Sequence, residues 1–140
     1  MVRNMNEWLI FTLAALLMWG LWGFFPKLSI GFLSPKSALV FEMVGAMIVG
    51  VVVLAILGFK LEFSSQGAIF AILTGIAGAC GALFFLYAIS KGSLSVTVTL
   101  TAIYPLISVI LAFLILNEPI TLKQGIGMVL ALVAMAMLAS

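Results

Sequence analysis

The chain has 140 residues, of which 66% are hydrophobic and 7% are charged, and its net charge is +2. A soluble domain carries about 25% charged residues, so this composition excludes one and predicts an integral membrane protein. One cysteine and no histidine leave no disulfide framework and no plausible metal site. Six basic residues form no patch that could bind nucleic acid, and no Walker motif for ATP is present.

Five apolar runs, each about as long as a bilayer core requires, follow one another along the chain. Only helices can satisfy their backbone groups in lipid, so the predicted fold is all-α with five transmembrane helices. The first run continues to Phe25 without a cleavage site, which favours an uncleaved helix over a signal peptide. The five predicted spans are about 8–25, 38–59, 67–89, 94–116 and 122–139.

The first predicted span carries three tryptophans. Trp8 lies where an interfacial anchor belongs. Trp19 and Trp22 are three residues apart and share a helix face. That face could offer an aromatic wall to a solute or a cation, or it could be a second interface anchor.

The second predicted span contains a carboxylate, Glu42, about one turn inside the helix. A charge at that depth is costly and indicates a functional site by default. Lys27 closes the first helix on the same side of the membrane, so a Lys27–Glu42 ion pair is the structural alternative. The third span is rich in small residues that favour close helix packing, and its aromatic end adds Tyr87 to the candidate cavity residues.

The fourth predicted span has hydroxyl side chains on one face. Pro105 removes a hydrogen bond to the Thr101 carbonyl and should bend this helix near mid-span. The hydroxyls could line a cavity, or each could bond its own helix backbone four residues earlier. The candidate cavity residues here are Thr97, Thr101, Tyr104 and Ser108.

The turns on either side of the fourth span carry helix-capping residues. Ser93 is a capping serine at its start. Glu118 stands beside Pro119 in the next turn, where we expect it to cap the fifth helix together with Thr121.

The second half of the chain resembles a known family in the order and spacing of its residues. It is similar to the second half of an EamA domain of the drug/metabolite transporter superfamily, and the match weakens toward the N-terminus. Glu42 departs from the pattern, because EamA domains commonly carry a basic residue near this point. The matching residues are Tyr87-Ala88-Ile89, Gly92, Ser95, Leu100, Pro105, Leu111-Ala112, Glu118 and Gln124-x-x-Gly127.

The resemblance implies that residues 1–140 form a single EamA-type domain, one half of a transporter. Larger family members look like two fused copies in opposite orientations, and such inverted repeats place a substrate site at the midplane between the halves. A lone half implies an antiparallel homodimer or a homologous partner half.

The basic residues divide evenly between the two sides of the predicted topology. Orientation in the membrane follows the difference in Lys and Arg between the two sides, and here that difference is zero. Dual topology is therefore predicted. Arg3, Lys60 and Lys123 lie on one side, and Lys27, Lys36 and Lys91 lie on the other.

The predicted function is secondary transport of a small metabolite or drug-like solute across the plasma membrane of a prokaryote by alternating access. No enzymatic activity and no cofactor are predicted. An exchanger of organic cations with Glu42 as the coupled proton site is one version. The alternatives are a dual-topology ion channel, against which no charged ring or filter loop is visible, and a non-transporting subunit of another half-transporter.

Overall fold

The structure is a computed structural model that describes the backbone of residues 5–139 and the side chains of residues 7–137. Arg3, which enters the count of basic residues, lies outside the described residues. The backbone from 5 to 139 is helical with short connections and contains no strand, which confirms the predicted all-α class. The six helical segments are α1 (Met5–Ser29), α2 (Pro35–Ile56), α3 (Ser65–Lys91), α4 (Leu94–Thr101), α5 (Tyr104–Leu116) and α6 (Leu122–Ala139).

Four stretches of the described chain are long and apolar enough to cross a membrane. They correspond to the first four predicted spans. The fifth is helical as predicted, over Leu122–Ala139, and its crossing of the membrane stays a prediction. The four stretches are Glu7–Ser29, Pro35–Ile56, Ser65–Lys91 and Leu94–Leu116.

Serine side chains mark the starts of three helices. Ser34, Ser64 and Ser93 each accept a backbone N–H three residues further on, at 3.3, 3.4 and 3.3 Å. Each bond satisfies one of the amide groups that the first turn of a helix leaves without an intrahelical acceptor. The predicted cap at Ser93 is therefore confirmed.

Two helix ends can be compared with the predictions. The first helix continues through Pro26 to Ser29, past the end of the predicted span, because a proline removes one hydrogen bond and need not stop a helix near its end; Lys27 lies in its last turn, as predicted. The capping role of Glu118 stays a prediction, whereas Thr121 caps α6 as predicted, with Gln124 as its partner: the Gln124 Oε1 accepts the Thr121 N–H at 2.8 Å, and the Thr121 Oγ1 accepts the Gln124 N–H at 3.3 Å. This reciprocal pair is a capping box.

The chain divides into two compact units, one that ends at Lys91 and one that begins at Gly92. In the first unit, α1 and α2 pack against α3. Its buried side chains lie at the end of α1, the start of α2 and the end of α3. They are Pro26, Ala38, Ala82, Phe85, Leu86 and Ile89.

In the second unit, α4 packs against α6, and the helical path is interrupted between α4 and α5. The break falls at Ala102 and Ile103, two residues before Pro105 in the first turn of α5. Pro105 cannot donate to the Thr101 carbonyl, so an interruption here follows from the sequence.

Most apolar side chains outside this small core are exposed, for example Phe11 at 73% and Ile56 at 78%. Helices that are apolar around their whole circumference are typical of chains whose outer surface contacts lipid or other helices. The packed core of the first unit therefore holds only one end of its three helices together.

We expect substitution of Ile89 by alanine to destabilise the packed core of the first unit. Ile89 is fully buried, whereas Ile76 on the same helix is 56% exposed. Ile89→Ala should lower the free energy of unfolding by about 2–4 kcal/mol, because it leaves a cavity where α1 and α2 meet α3. The measurement is reversible unfolding of purified protein in mixed micelles of dodecyl maltoside and dodecyl sulfate.

Ile76→Ala is the matched control and should change the free energy of unfolding by less than about 1 kcal/mol. Equal losses in the two variants would show that the end of α3 is no better packed than its middle.

Candidate functional site

A hydrogen bond joins α1 to α2 inside the predicted spans. The indole Nε1 of Trp22 donates to the Glu42 Oε1 at 2.7 Å. The bond gives the carboxylate a partner where water is scarce, so it offsets part of the cost of placing Glu42 in a span.

Phe85 on α3 holds the indole of Trp22 from a third helix. The two rings stack with their centroids 5.6 Å apart and their planes at 26°. Phe85 is 7% exposed, whereas Trp22 is 43% exposed, so one ring belongs to the core and the other reaches out of it. Trp22 therefore links the packed core to the carboxylate.

Glu42 and Trp22 line an open groove of about 230 Å³ at the end of the first unit where its core lies. Apart from Ser29, the other lining side chains are apolar, so Glu42 is the acid among them. A groove that is largely apolar with few polar groups is the usual form of a small-molecule site. The other lining residues are Phe25, Pro26, Ala38, Phe41 and Leu86.

Lys27 donates from its Nζ to the carbonyl oxygen of Ile89 at 2.7 Å. Ile89 lies in the last turn of α3, where carbonyl groups lack intrahelical partners and a positive charge is favourable. Lys27 thus caps α3 from α1, next to the groove but outside its lining.

The structure gives the two residues of the predicted ion pair different hydrogen-bond partners. Glu42 accepts from Trp22, and Lys27 donates to the Ile89 carbonyl. The Lys27–Glu42 ion pair stays a prediction.

The other aromatic candidates of the first unit lie elsewhere. Trp19 is 63% exposed and is not among the described residues that line the groove. Tyr87 is half-buried, and its carbonyl accepts the Ser90 hydroxyl at 2.7 Å. Of the two tryptophans predicted to share a wall, the structure brings only Trp22 to the carboxylate.

The threonines of the predicted stripe in the second unit bond their own backbone. Thr97 Oγ1 donates to the Ser93 carbonyl at 2.9 Å, and Thr101 Oγ1 donates to the Thr97 carbonyl at 2.8 Å. This is the alternative to a cavity lining. Tyr104 is 55% exposed, and Ser108 lines a shallow depression on α5.

Sequence reasoning missed Phe41 and Phe85 as site residues. Phe41 directly precedes Glu42, and its position next to the carboxylate could have identified it as a site residue. Phe85 lies far along the chain in a run of apolar residues with nothing to single it out. No group of three or more metal-ligating side chains occurs among the described residues.

Comparisons with known proteins bear on the whole chain. The sequence profile of the EamA-like transporter family matches residues 6–140. An uncharacterized protein of Methanocaldococcus jannaschii is 31% identical over 138 residues, which cover 96% of this chain and 97% of that protein. No solved structure matches the chain significantly.

We expect Lys27→Met to weaken the capping of α3. Loss of the ammonium leaves the partly buried Ile89 carbonyl without this donor, so the free energy of unfolding should fall by about 1–3 kcal/mol. The measurement is again unfolding in mixed micelles. Lys91→Met is the matched control, because Lys91 also lies in the last turn of α3 but is exposed. An equal effect of Lys91→Met would show that only charge near the helix end matters.

A double-mutant cycle with Glu42→Gln tests the predicted ion pair in the same assay. Coupling between Lys27 and Glu42 above about 1 kcal/mol would support the pair, whereas effects that add within about 0.5 kcal/mol would remove it.

Proposed function

Because the chain belongs to the EamA-like transporter family, we propose that it is a secondary transporter of a small metabolite or drug-like solute. The observation that carries the proposal is the groove in which Glu42, held by Trp22, faces an otherwise largely apolar lining. A carboxylate within a membrane span is expensive and points to a pathway for solute or protons.

The proposed mechanism is alternating access, in which two halves rock about a shared site at the midplane. One chain supplies one half. Trp22 at 43% exposure and Phe41 at 64% leave the groove open on one side, as expected of a site that a second half has to close. We propose an antiparallel second copy, or a homologous half-transporter, in the plasma membrane of a prokaryote.

Counterflow in liposomes tests this function. Liposomes that contain the purified protein are loaded with an unlabelled solute from a panel of metabolites and amines. They should then take up the same labelled solute in a saturable manner. Glu42→Gln should reduce the rate at least about tenfold, since it removes the charge of a charge-assisted hydrogen bond while keeping the side-chain shape.

Glu62→Gln is the matched control, because Glu62 lies in the exposed loop between α2 and α3. It should transport at the normal rate. Current that follows voltage without saturation would indicate a channel instead, and neither flux nor current would indicate a non-transporting subunit.

Dual topology has a separate test. A reporter fused at the C-terminus should be found on both sides of the membrane, because the three basic residues on each predicted side are balanced. Two lysines added beside Arg3 should drive the N-terminus inside, and two added beside Lys91 should drive it outside.

Each charge-biased variant alone should lose transport, and co-expression of the two should restore it, since only the mixture can form antiparallel pairs. If the natural sequence reports one orientation with full activity, the chain works as a parallel assembly or with a separate partner.

A further inference from the structure

We infer that the groove binds a small protonated amine, with the Glu42 carboxylate as the acceptor of its N–H groups and Trp22 as the positioning residue that orients this carboxylate. The inference rests on the proposed function and names the substrate class of the same site.

The hydrogen-bonding groups of the groove are mainly acceptors. Glu42 presents two carboxylate oxygens, and the Trp22 N–H donates to one of them at 2.7 Å. Ser29 adds a hydroxyl to the lining. Pro26 has no N–H, so the carbonyl of Trp22 lacks the usual helical donor four residues further on.

The charges of the groove exclude an anion. None of the eight residues recorded in its lining is Lys or Arg. Lys27, the nearest cation along α1, directs its ammonium to the Ile89 carbonyl at 2.7 Å. A bound carboxylate or phosphate would therefore lie beside Glu42 without a counter-charge, and like charges at short range are strongly unfavourable.

The aromatic rings favour a cation over a neutral solute. Trp22, Phe25 and Phe41 all line the groove with Glu42. Aromatic faces attract a cation within about 6 Å of the ring centroid, more strongly where water is excluded. A carboxylate among aromatic rings thus supplies both the charge and the surface that an ammonium group needs.

The Trp22–Glu42 bond distinguishes amines from quaternary ammonium ions. The bond holds Oε1, and Phe85 fixes the indole at 5.6 Å, so the second carboxylate oxygen has a defined direction. An acceptor with a fixed direction forms a stronger hydrogen bond to an N–H donor, and a quaternary ammonium ion has no N–H group.

The groove volume guides the choice of probe. The groove is open on one side and has about 230 Å³, so a single ring with a short aminoalkyl arm is large enough to occupy it. Benzylamine is therefore the probe, and its neutral, quaternary and anionic counterparts are benzyl alcohol, benzyltrimethylammonium and benzoate.

The experiment measures equilibrium binding of labelled benzylamine to the full chain in lipid nanodiscs at neutral pH, with the other three compounds as competitors. Benzylamine should bind at least about tenfold more tightly than benzyl alcohol or benzyltrimethylammonium, as expected for a charge-assisted hydrogen bond. Benzoate should not compete. Equal affinities for the amine and any of its counterparts would overturn the inference.

Variants separate a positioning role from a structural one. Glu42→Gln should abolish the preference for benzylamine over benzyl alcohol, and Glu42→Asp should restore part of it. Trp22→Phe keeps a ring against Phe85 but loses the N–H. It should therefore lower the ratio of the affinity for benzylamine to that for benzyltrimethylammonium several-fold. Trp8→Phe, at an exposed tryptophan near the start of the same helix, is the control and should leave both ratios unchanged. Unchanged ratios in Trp22→Phe would remove Trp22 from substrate recognition.

Binding and counterflow measurements test the amine site and the proposed transport separately. Selective amine binding without counterflow of benzylamine would support the amine site and overturn the proposed transport. Counterflow of neutral or anionic solutes without amine binding would support transport and overturn the amine site.

Discussion

Within a bilayer, each polar group without a hydrogen-bond partner costs several kcal/mol, and this constraint accounts for the polar contacts of the structure. The backbone satisfies itself by forming helices. The hydroxyl groups of Thr97 and Thr101 donate to backbone carbonyls four residues earlier. Lys27 and Glu42, which cannot be satisfied locally, find partners on other helices. Both of these inter-helix bonds thus come from ionisable side chains, which have the strongest need for a partner.

These inter-helix bonds coincide with the packed part of the first unit. Leu86 and Ile89 are nearly or fully buried beside the carbonyl that Lys27 caps, and Phe85 packs on the indole that holds Glu42. Elsewhere along α1, α2 and α3 the side chains are largely exposed. The core therefore sets the orientation of Trp22 and Glu42 where the groove opens, and the rest of the three helices presents an apolar surface.

The departure of Glu42 from the EamA pattern acquires a physical meaning in this arrangement. A basic residue would suit an anionic solute, whereas a carboxylate among aromatic rings suits a cationic one. The family membership supports transport in general, and the groove chemistry supports the choice of solute class. Family membership depends on the whole chain, whereas the groove depends on residues at one end of three helices.

Sequence alone was enough to predict the membrane class, the positions of the first four spans, the serine cap of α4 and a carboxylate inside the second span. Length, hydropathy and capping residues are local properties, so no tertiary information is needed to read them. The assembled fold determined which partner each half-buried charged side chain takes, namely Trp22 for Glu42 and the Ile89 carbonyl for Lys27. It also selected Trp22 over Trp19 and brought Phe85 to the site. The physical reason is that these helices are apolar on every side, so hydrophobic periodicity does not define an inward face. The rotation of each helix about its axis is then set by side-chain packing between helices, which is a property of the assembled fold.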